Sequence, residues 1–415
     1  MDSTELYRQL LGVVSPWTVQ RVEMDVAGLS VDVYLTHQRE ARFACPRCGQ
    51  ACTVYDHQAE RRWRHLDSCH FRTVLHAQPP RVECPTDGVH QVELPWSEAG
   101  GRFTRMFEAL AIDVLLATDV KNAAAILGIT WDEAWHIMER AVERGRRAKS
   151  RVLPTLMGVD EKSYAKRHKY VTLVYDLDRA TVEYLGKGRE YGSLSAYFKE
   201  FSPSELAGIE GVALDMCRSY INACNQFVPQ AGQKMVFDRF HIMRHVLEAV
   251  DAIRKRENRE LQRQGDDRLA KSRYLWLYSR ENLPAKSVDR FKQLKDAHLR
   301  TGRAWAIKES LRELWGYTSQ TWARKFWARW YFWATHSKLP EIIKVAKLIS
   351  THLANVMSYF EHRITNATAE GLNSKIATIQ KRAYGFRNLE HFKTAVYFHC
   401  GGLELGPHRF THTEV

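Results

Sequence analysis

Three short apolar runs in the middle of the chain each end on an aspartate: Met157-Gly-Val-Asp160, Gly211-Val-Ala-Leu-Asp215 and Lys234-Met-Val-Phe-Asp238. Such runs predict central strands, and a carboxylate at the end of one is costly to desolvate unless a cation pairs with it. Two further β-runs follow Asp160, Lys169–Tyr175 and Thr181–Leu185, rich in Val, Thr and Tyr and joined by the polar stretch Asp176-Leu-Asp-Arg179. That composition suits a hairpin. After Asp215 comes a helix-like segment, Ser219–Phe227. Strands alternating with helices predict parallel pairing, with ligand groups collected at the carboxyl ends of the strands. The pattern predicts an acidic cluster at one sheet edge, with a metal ion as its natural partner.

At 415 residues and 45% hydrophobic content, the chain has material for two to four folded domains. It has no run of about 18 apolar residues and no charged-then-apolar leader, so a membrane span and a secretory signal are not expected. Residence in the cytoplasm, on the nucleoid, is. The formal charge of +13 is concentrated in residues 239–363, where 26 Lys and Arg face 13 Asp and Glu, a net of +13. The same segment holds seven of the 12 Trp. It begins with a long charged helix, Arg239–Gln264, and includes the Trp-dense stretch Leu311–Thr335. A basic helical module points to a polyanion, nucleic acid being the usual one. Arg324, Lys325 and Arg329 are its candidate backbone contacts. The competing expectation is a dimer contact or plain packing, with the tryptophans as core.

Upstream, residues 17–36 alternate apolar and polar on both sides of Ala27-Gly28, which predicts an antiparallel hairpin. It leads into Cys45-Pro-Arg-Cys48-Gly49, and a second knuckle follows at Cys84-Pro-Thr-Asp87-Gly88-Val-His90. Two such knuckles are a zinc-ribbon pattern whose fourth ligand is Asp87 or His90, since zinc accepts carboxylate and imidazole as well as thiolate. Cys52 and Cys69 read as packed thiols, with the Cys69-His70 pair a second choice of ligands. Residues 103–147 then turn helical. Met106, Leu110, Val114 and Leu115 mark one amphipathic helix and Val120–Leu127 a second. Gly128 turns the chain and Thr130 caps a third helix from Trp131 to about Arg146. Helix, Gly-containing turn, helix is the form of a helix-turn-helix, although two helices packed for structural reasons alone look much the same.

Near the C-terminus stands Asn366-Ala-Thr-Ala-Glu370-Gly-Leu-Asn373-Ser-Lys375, with Lys381 and Arg382 further along and Ala383-Tyr-Gly-Phe-Arg-Asn388 after them. On a helix, Asn366, Glu370 and Asn373 share a face. With the ribbon, the helix-turn-helix and the three aspartates in this order, the chain from about 40 to 400 resembles the bacterial insertion-sequence transposases of the ISL-three type. The block around Glu370 is the most specific part of that resemblance.

The resemblance implies a multidomain α+β protein. Residues 1–100 form a β hairpin and zinc-ribbon-like module and 101–153 a helix-turn-helix. An RNase H-like α/β core spans 154–238 and 363–402, interrupted by an all-helical insertion at 239–362, and 403–415 is a tail. It implies Asp160, Asp215 and Glu370 as a catalytic triad holding two Mg²⁺ or Mn²⁺ ions, with Asp160 bridging them. Two ions about 3.5–4 Å apart serve in-line displacement at phosphorus, first by water and then by the freed 3′-hydroxyl. Terminal-repeat duplex and target DNA are the implied partners, bound by a homodimer. Asp238 and His241 stand close enough to support the ligands or touch the scissile strand, although an aspartate capping a helix after a strand explains them equally well. Two alternatives remain at this level: a nuclease or resolvase that cuts without joining, and a DNA-binding protein with an inactive core.

Overall fold

A computed structural model describes residues 2–165, 169–364 and 367–407, so Asn366 lies outside the described residues. The chain divides into two compact units, one of residues 1–150 with 397–399 and 403–415, the other of 151–396 with 400–402. No helix among the described residues is long and apolar enough to cross a membrane.

The first unit opens with α1 (Ser3–Leu10), followed by β1 (Trp17–Asp25), β2 (Ser30–His37), β3 (Arg42–Ala44), β4 (Ala51–His57), β5 (Arg61–Arg64), β6 (Arg72–Ala77), β7 (Pro80–Cys84) and β8 (Gly88–Gln91). They form two four-stranded sheets, ordered β1-β2-β6-β5 and β3-β4-β7-β8. The expected hairpin is present, with Val22 opposite Val33 and Met24 opposite Val31. Alternation in β2 turns Val31, Val33 and Leu35 inward onto Trp17, Trp63 and Leu75. Met24, Val26 and Leu29 at the hairpin tip remain exposed.

Three helices follow: α2 (Arg105–Ala117), α3 (Val120–Leu127) and α4 (Trp131–Ala148). Gly128 takes the left-handed conformation (φ 62°) that ends α3. Thr130 and Glu133 form a reciprocal capping box at the start of α4. The helices match the expectation, but the buried face of α2 does not. Phe107, Ala111, Ile112 and Leu115 face inward, while Met106 and Leu110 are exposed. Leu115 is buried as expected, but Met106 and Leu110 are not, because two sets of apolar residues recur here at helical spacing.

The second unit is built on a five-stranded sheet ordered β11-β10-β9-β12-β13: β9 (Leu156–Ala165), β10 (Lys169–Asp176), β11 (Thr181–Lys187), β12 (Gly211–Leu214) and β13 (Met235–Phe237). β9, β10 and β11 form an antiparallel meander, whereas β12 pairs parallel with both β9 and β13. The Asp176 carboxylate accepts the N–H groups of Asp178 and Arg179 and so closes the β10–β11 turn. Asp160 is not at the end of its strand. β10 continues to pair with β9 beyond the level at which β12 stops, so the strand runs on to Ala165.

The helices α5 (Tyr191–Phe198) and α6 (Arg218–Phe227) contribute Leu194, Phe198 and Tyr220 to the same core as Met157, Val159 and Val174 of the sheet. The insertion comprises α7 (Arg239–Arg263), α8 (Arg300–Arg312), α9 (Gln320–Thr335) and α10 (Pro340–Thr351), with short helical turns between them. Glu257 of α7 accepts the N–H groups of Arg300 and Thr301 at the start of α8 (2.8 Å each), and Asp251 pairs with Arg254 and Lys255. Five of the seven tryptophans (276, 305, 315, 327 and 330) are buried core. For those five, packing is the right reading, while Trp322 and Trp333 are exposed. The chain returns through α11 (Ala367–Arg382) and α12 (Leu389–Cys400).

Candidate active site

Register brings the three aspartates together. Val159, Leu214 and Phe237 are paired across β9, β12 and β13. The next residue on each strand, Asp160, Asp215 and Asp238, therefore falls at one level on one face. Two of the three follow the ends of short parallel strands, where the sheet stops pairing and helices begin.

Asp160 is the most enclosed of the expected ligands. Its Oδ1 accepts the Glu161 N–H at 2.7 Å and its Oδ2 accepts Asn373 Nδ2–H at 2.6 Å. Burial raises the pKa of this carboxyl, against the opposing pull of the Glu161 N–H, His241 and Asn373. A carboxylate that burial destabilises while its neighbours supply only part of the compensation is a site with room for a cation's charge. Asp215 is more open. Its Oδ1 accepts the Met216 N–H at 2.6 Å, and its Oδ2 is 3.8 Å from both His241 Nε2 and an Arg244 guanidinium nitrogen.

Asp238 caps a helix, as one of the two sequence readings had it, and also bonds His241. Asp238 caps α7 by accepting the Phe240 N–H (2.9 Å), and its second oxygen binds His241 Nδ1 (2.7 Å). The ring is thereby aimed at Asp215. Burial pulls the His241 pKa down, but Asp238 and the charges of Asp215 and Asp160 outweigh it and leave the imidazole above its ordinary value. The ring thus lies between Asp215 and Asp238.

Glu370 arrives on α11, one turn before Asn373. The helix is fixed along β9 and β10 by several polar contacts. Asn373 Oδ1 accepts from Tyr175 Oη (2.9 Å), the Asn373 carbonyl from Lys162 Nζ (3.2 Å), and Gln380 Nε2–H reaches the Ser163 carbonyl (3.0 Å). Ala369 faces Gly158, where a Cβ would sit 3.5 Å from the Ala369 methyl. Glu370 itself is exposed, as are Lys375, Lys381 and Arg382 further along the helix. Arg324, Lys325 and Arg329 lie on the exposed face of α9, with the Lys325 ammonium 4.5 Å from the centre of the Trp322 ring. Tyr175, Lys162 and Arg244 contribute to the site without a sequence signal of their own.

The cysteine cluster is compact. Cys45, Cys48, Cys84 and Asp87 place one ligand atom each within 4.8 Å of one another, with Cys48 Sγ 3.4 Å from Cys84 Sγ and Asp87 Oδ2 3.5 Å from Cys84 Sγ. These separations suit a tetrahedron of bonds about 2.0–2.3 Å long. Gly49 (φ 75°) and Gly88 (φ 81°) make the two turns. The Thr86 hydroxyl helps lower the Cys84 thiol to about 7, toward the thiolate a metal needs. His90 is not among the four grouped side chains; its Nε2 is bonded to the Asp87 carbonyl oxygen (2.8 Å). Cys52 is buried and packed, whereas Cys69 is exposed rather than packed; neither joins the cluster.

Comparison with known proteins follows the same division. Residues 157–396 match the family model of the ISL3 DDE transposase, residues 41–87 that of the zinc-finger of transposases IS204/IS1001/IS1096/IS1165, and residues 92–142 that of the helix-turn-helix domain of transposase family ISL3. The transposase for insertion sequence element IS1001 of Bordetella parapertussis is 27% identical over 398 residues, covering 93% of this chain and 97% of the relative. The transposase for insertion sequence element IS1557 of Mycobacterium tuberculosis is 25% identical over 423 residues, covering 94% and 93%. With the DDE model spanning more than half of its length and both N-terminal modules in order before it, the chain belongs to the ISL3 family of insertion-sequence transposases.

Proposed function

We propose that the protein binds the terminal inverted repeats of an insertion sequence, cleaves the DNA at their ends and joins the freed ends to a target. Asp160, Asp215 and Glu370 are the catalytic carboxylates. The observation that carries this reading is the convergence of two aspartates at one level of β9 and β12 with a helix bearing Glu370, that helix being fixed to Asp160 itself through Asn373. Hard carboxylate oxygens are the donor set that Mg²⁺ or Mn²⁺ takes. When bound, two such ions activate the attacking oxygen and stabilise the leaving one.

The chain's own residues set the conditions for that chemistry. Asn373 fixes the rotamer of Asp160 by donating to one of its oxygens. Asp238 holds His241 Nδ1, so that Nε2 faces Asp215. Cys45, Cys48, Cys84 and Asp87 hold a structural zinc that closes the two knuckles of the ribbon. The helix-turn-helix reads the ends with α4, and the exposed cations of α9 hold phosphates without regard to sequence. The DNA complex contains two copies of the chain.

The test is incubation of the protein with duplexes carrying the element's ends, a target plasmid and Mg²⁺, followed by sequencing of the products. End-to-target junctions are expected. Cleavage without junctions makes the protein a nuclease, and end binding without cleavage makes it an inactive DNA-binding protein.

A further inference from the structure

The turn that follows α11 breaks a local rule. Tyr384 N–H donates to the Lys381 carbonyl (3.1 Å) and Gly385 N–H to the Gln380 carbonyl (2.8 Å), the paired bonds of a Schellman helix end. Tyr384 therefore occupies the left-handed position (φ 52°) that normally selects glycine, although glycine stands next to it at Gly385. The aromatic side chain gains nothing from the fold there, since Tyr384 is 100% exposed.

This exposure is not that of a loose loop. On one side Gln380 is tied to Ser163 of β9. On the other, Phe386 packs edge-on against Phe392 (5.3 Å between ring centres), which stacks on Tyr164 (5.9 Å). Asn388 accepts the Glu390 N–H at the start of α12 (2.9 Å). Lys381, Arg382 and Arg387, within three residues of it in sequence, are exposed as well. A fixed turn flanked in sequence by exposed cations thus presents a solvent-facing aromatic, at a backbone position that disfavours it. That combination marks a binding role rather than a structural one.

We propose that Tyr384 is a DNA-contacting residue that stacks on a base unpaired near the cut. The inference rests on the proposed function, because the ligand is the DNA held at the Asp160 site. The helix carrying Glu370 carries Tyr384 about 20 Å further on, at 1.5 Å rise per residue, which is roughly six base steps. Base–aromatic stacking tolerates any sequence and pairs naturally with flanking cations.

The experiment uses the full-length protein and end duplexes carrying 2-aminopurine at successive positions within about ten base pairs of the cut. Tyr384→Gly relieves the backbone conflict, so it should melt no lower than wild type. Yet it should lose the fluorescence rise at one position and cleave paired ends about 5- to 100-fold more slowly. Tyr384→Phe should behave as wild type, and a duplex mismatched at the responsive position should restore cleavage by Tyr384→Gly. Wild-type-like cleavage and fluorescence by Tyr384→Gly overturn the inference while leaving the proposed function standing, and so does a loss that mismatched DNA does not rescue. Absence of cleavage by the wild-type protein on paired and mismatched ends alike removes the proposed function and this inference with it.

Discussion

Removing the Asn373 side chain separates two consequences that the structure assigns to different bonds. Its Nδ2–H donates to Asp160 Oδ2 at 2.6 Å, and its Oδ1 accepts from Tyr175 Oη at 2.9 Å. A hydrogen bond to a charged acceptor contributes about 1.5–3 kcal/mol, and a buried donor left without an acceptor costs about 1–3 kcal/mol. Tyr175 is fully buried, so the second cost falls on stability, while the first falls on the positioning of Asp160 and hence on cleavage. In Asn373→Ala, cleavage of an end duplex at saturating Mg²⁺ should fall about 10- to 100-fold, at 1.4 kcal/mol per factor of ten. The fold should lose about 1–3 kcal/mol in a denaturant titration. Tyr175→Phe removes the donor together with its need for an acceptor, and should cleave within a few-fold of wild type. Asn373→Asp keeps an acceptor for Tyr175 but sets a second carboxylate against Asp160; it should be the more stable of the two Asn373 variants and require more Mg²⁺ for half-maximal cleavage. Wild-type cleavage by Asn373→Ala, with an unchanged Mg²⁺ requirement, would refute the positioning argument.

Three other outcomes follow from the remainder of the structure. Elemental analysis should find one zinc per chain, retained by His90→Ala, whose imidazole is bonded to a carbonyl, and weakened by Asp87→Ala; the reverse pattern would reassign the fourth ligand. Burial holds His65 at about 4, so the unfolded chain takes up a proton between about pH 6.5 and 4 that the folded chain refuses. The stability this gives is whole above about pH 6.5 and shrinks as the pH falls, by about 2 kcal/mol at pH 5; the melting temperature of His65→Gln should drop less than that of wild type between pH 7.5 and 5. Neutralising Arg324, Lys325 and Arg329 together should weaken binding to every DNA sequence and flatten its salt dependence without altering the melt, whereas unchanged affinity and slope would make the α9 face something other than a phosphate contact.

How much the sequence disclosed depended on the range of the interactions. Runs ending on Asp215 and Asp238, the Gly128-Thr130 turn and the paired cysteine knuckles are local patterns, and each formed where it was expected. The extension of β9 past Asp160 was not visible, because it depends on an antiparallel partner outlasting a parallel one. The inward face of α2 was misplaced because Met106-Leu110 and Phe107-Ala111 have equal spacing, and only the tertiary partner chooses between them. The bond from Asn373 to Asp160 spans 213 residues of sequence, which no periodicity encodes. The tryptophans of the insertion divide by helix face: Trp327 and Trp330 point inward and Trp322 and Trp333 outward along the same α9. A count of aromatic residues alone predicted a single role for all of them.

The central claim is that three carboxylates perform the chemistry and that DNA is held largely by other residues. Its most direct test measures end-duplex binding and Mg²⁺-dependent cleavage side by side for Asp160→Asn, Asp215→Asn and Glu370→Gln. Each amide keeps the shape of the side chain and removes the charge that a hard cation needs. All three variants are expected to bind DNA within about two-fold of wild type, a spread below 0.5 kcal/mol, and to show no cleavage. Cleavage at the wild-type rate by any one of them would contradict the account and remove that residue from the site.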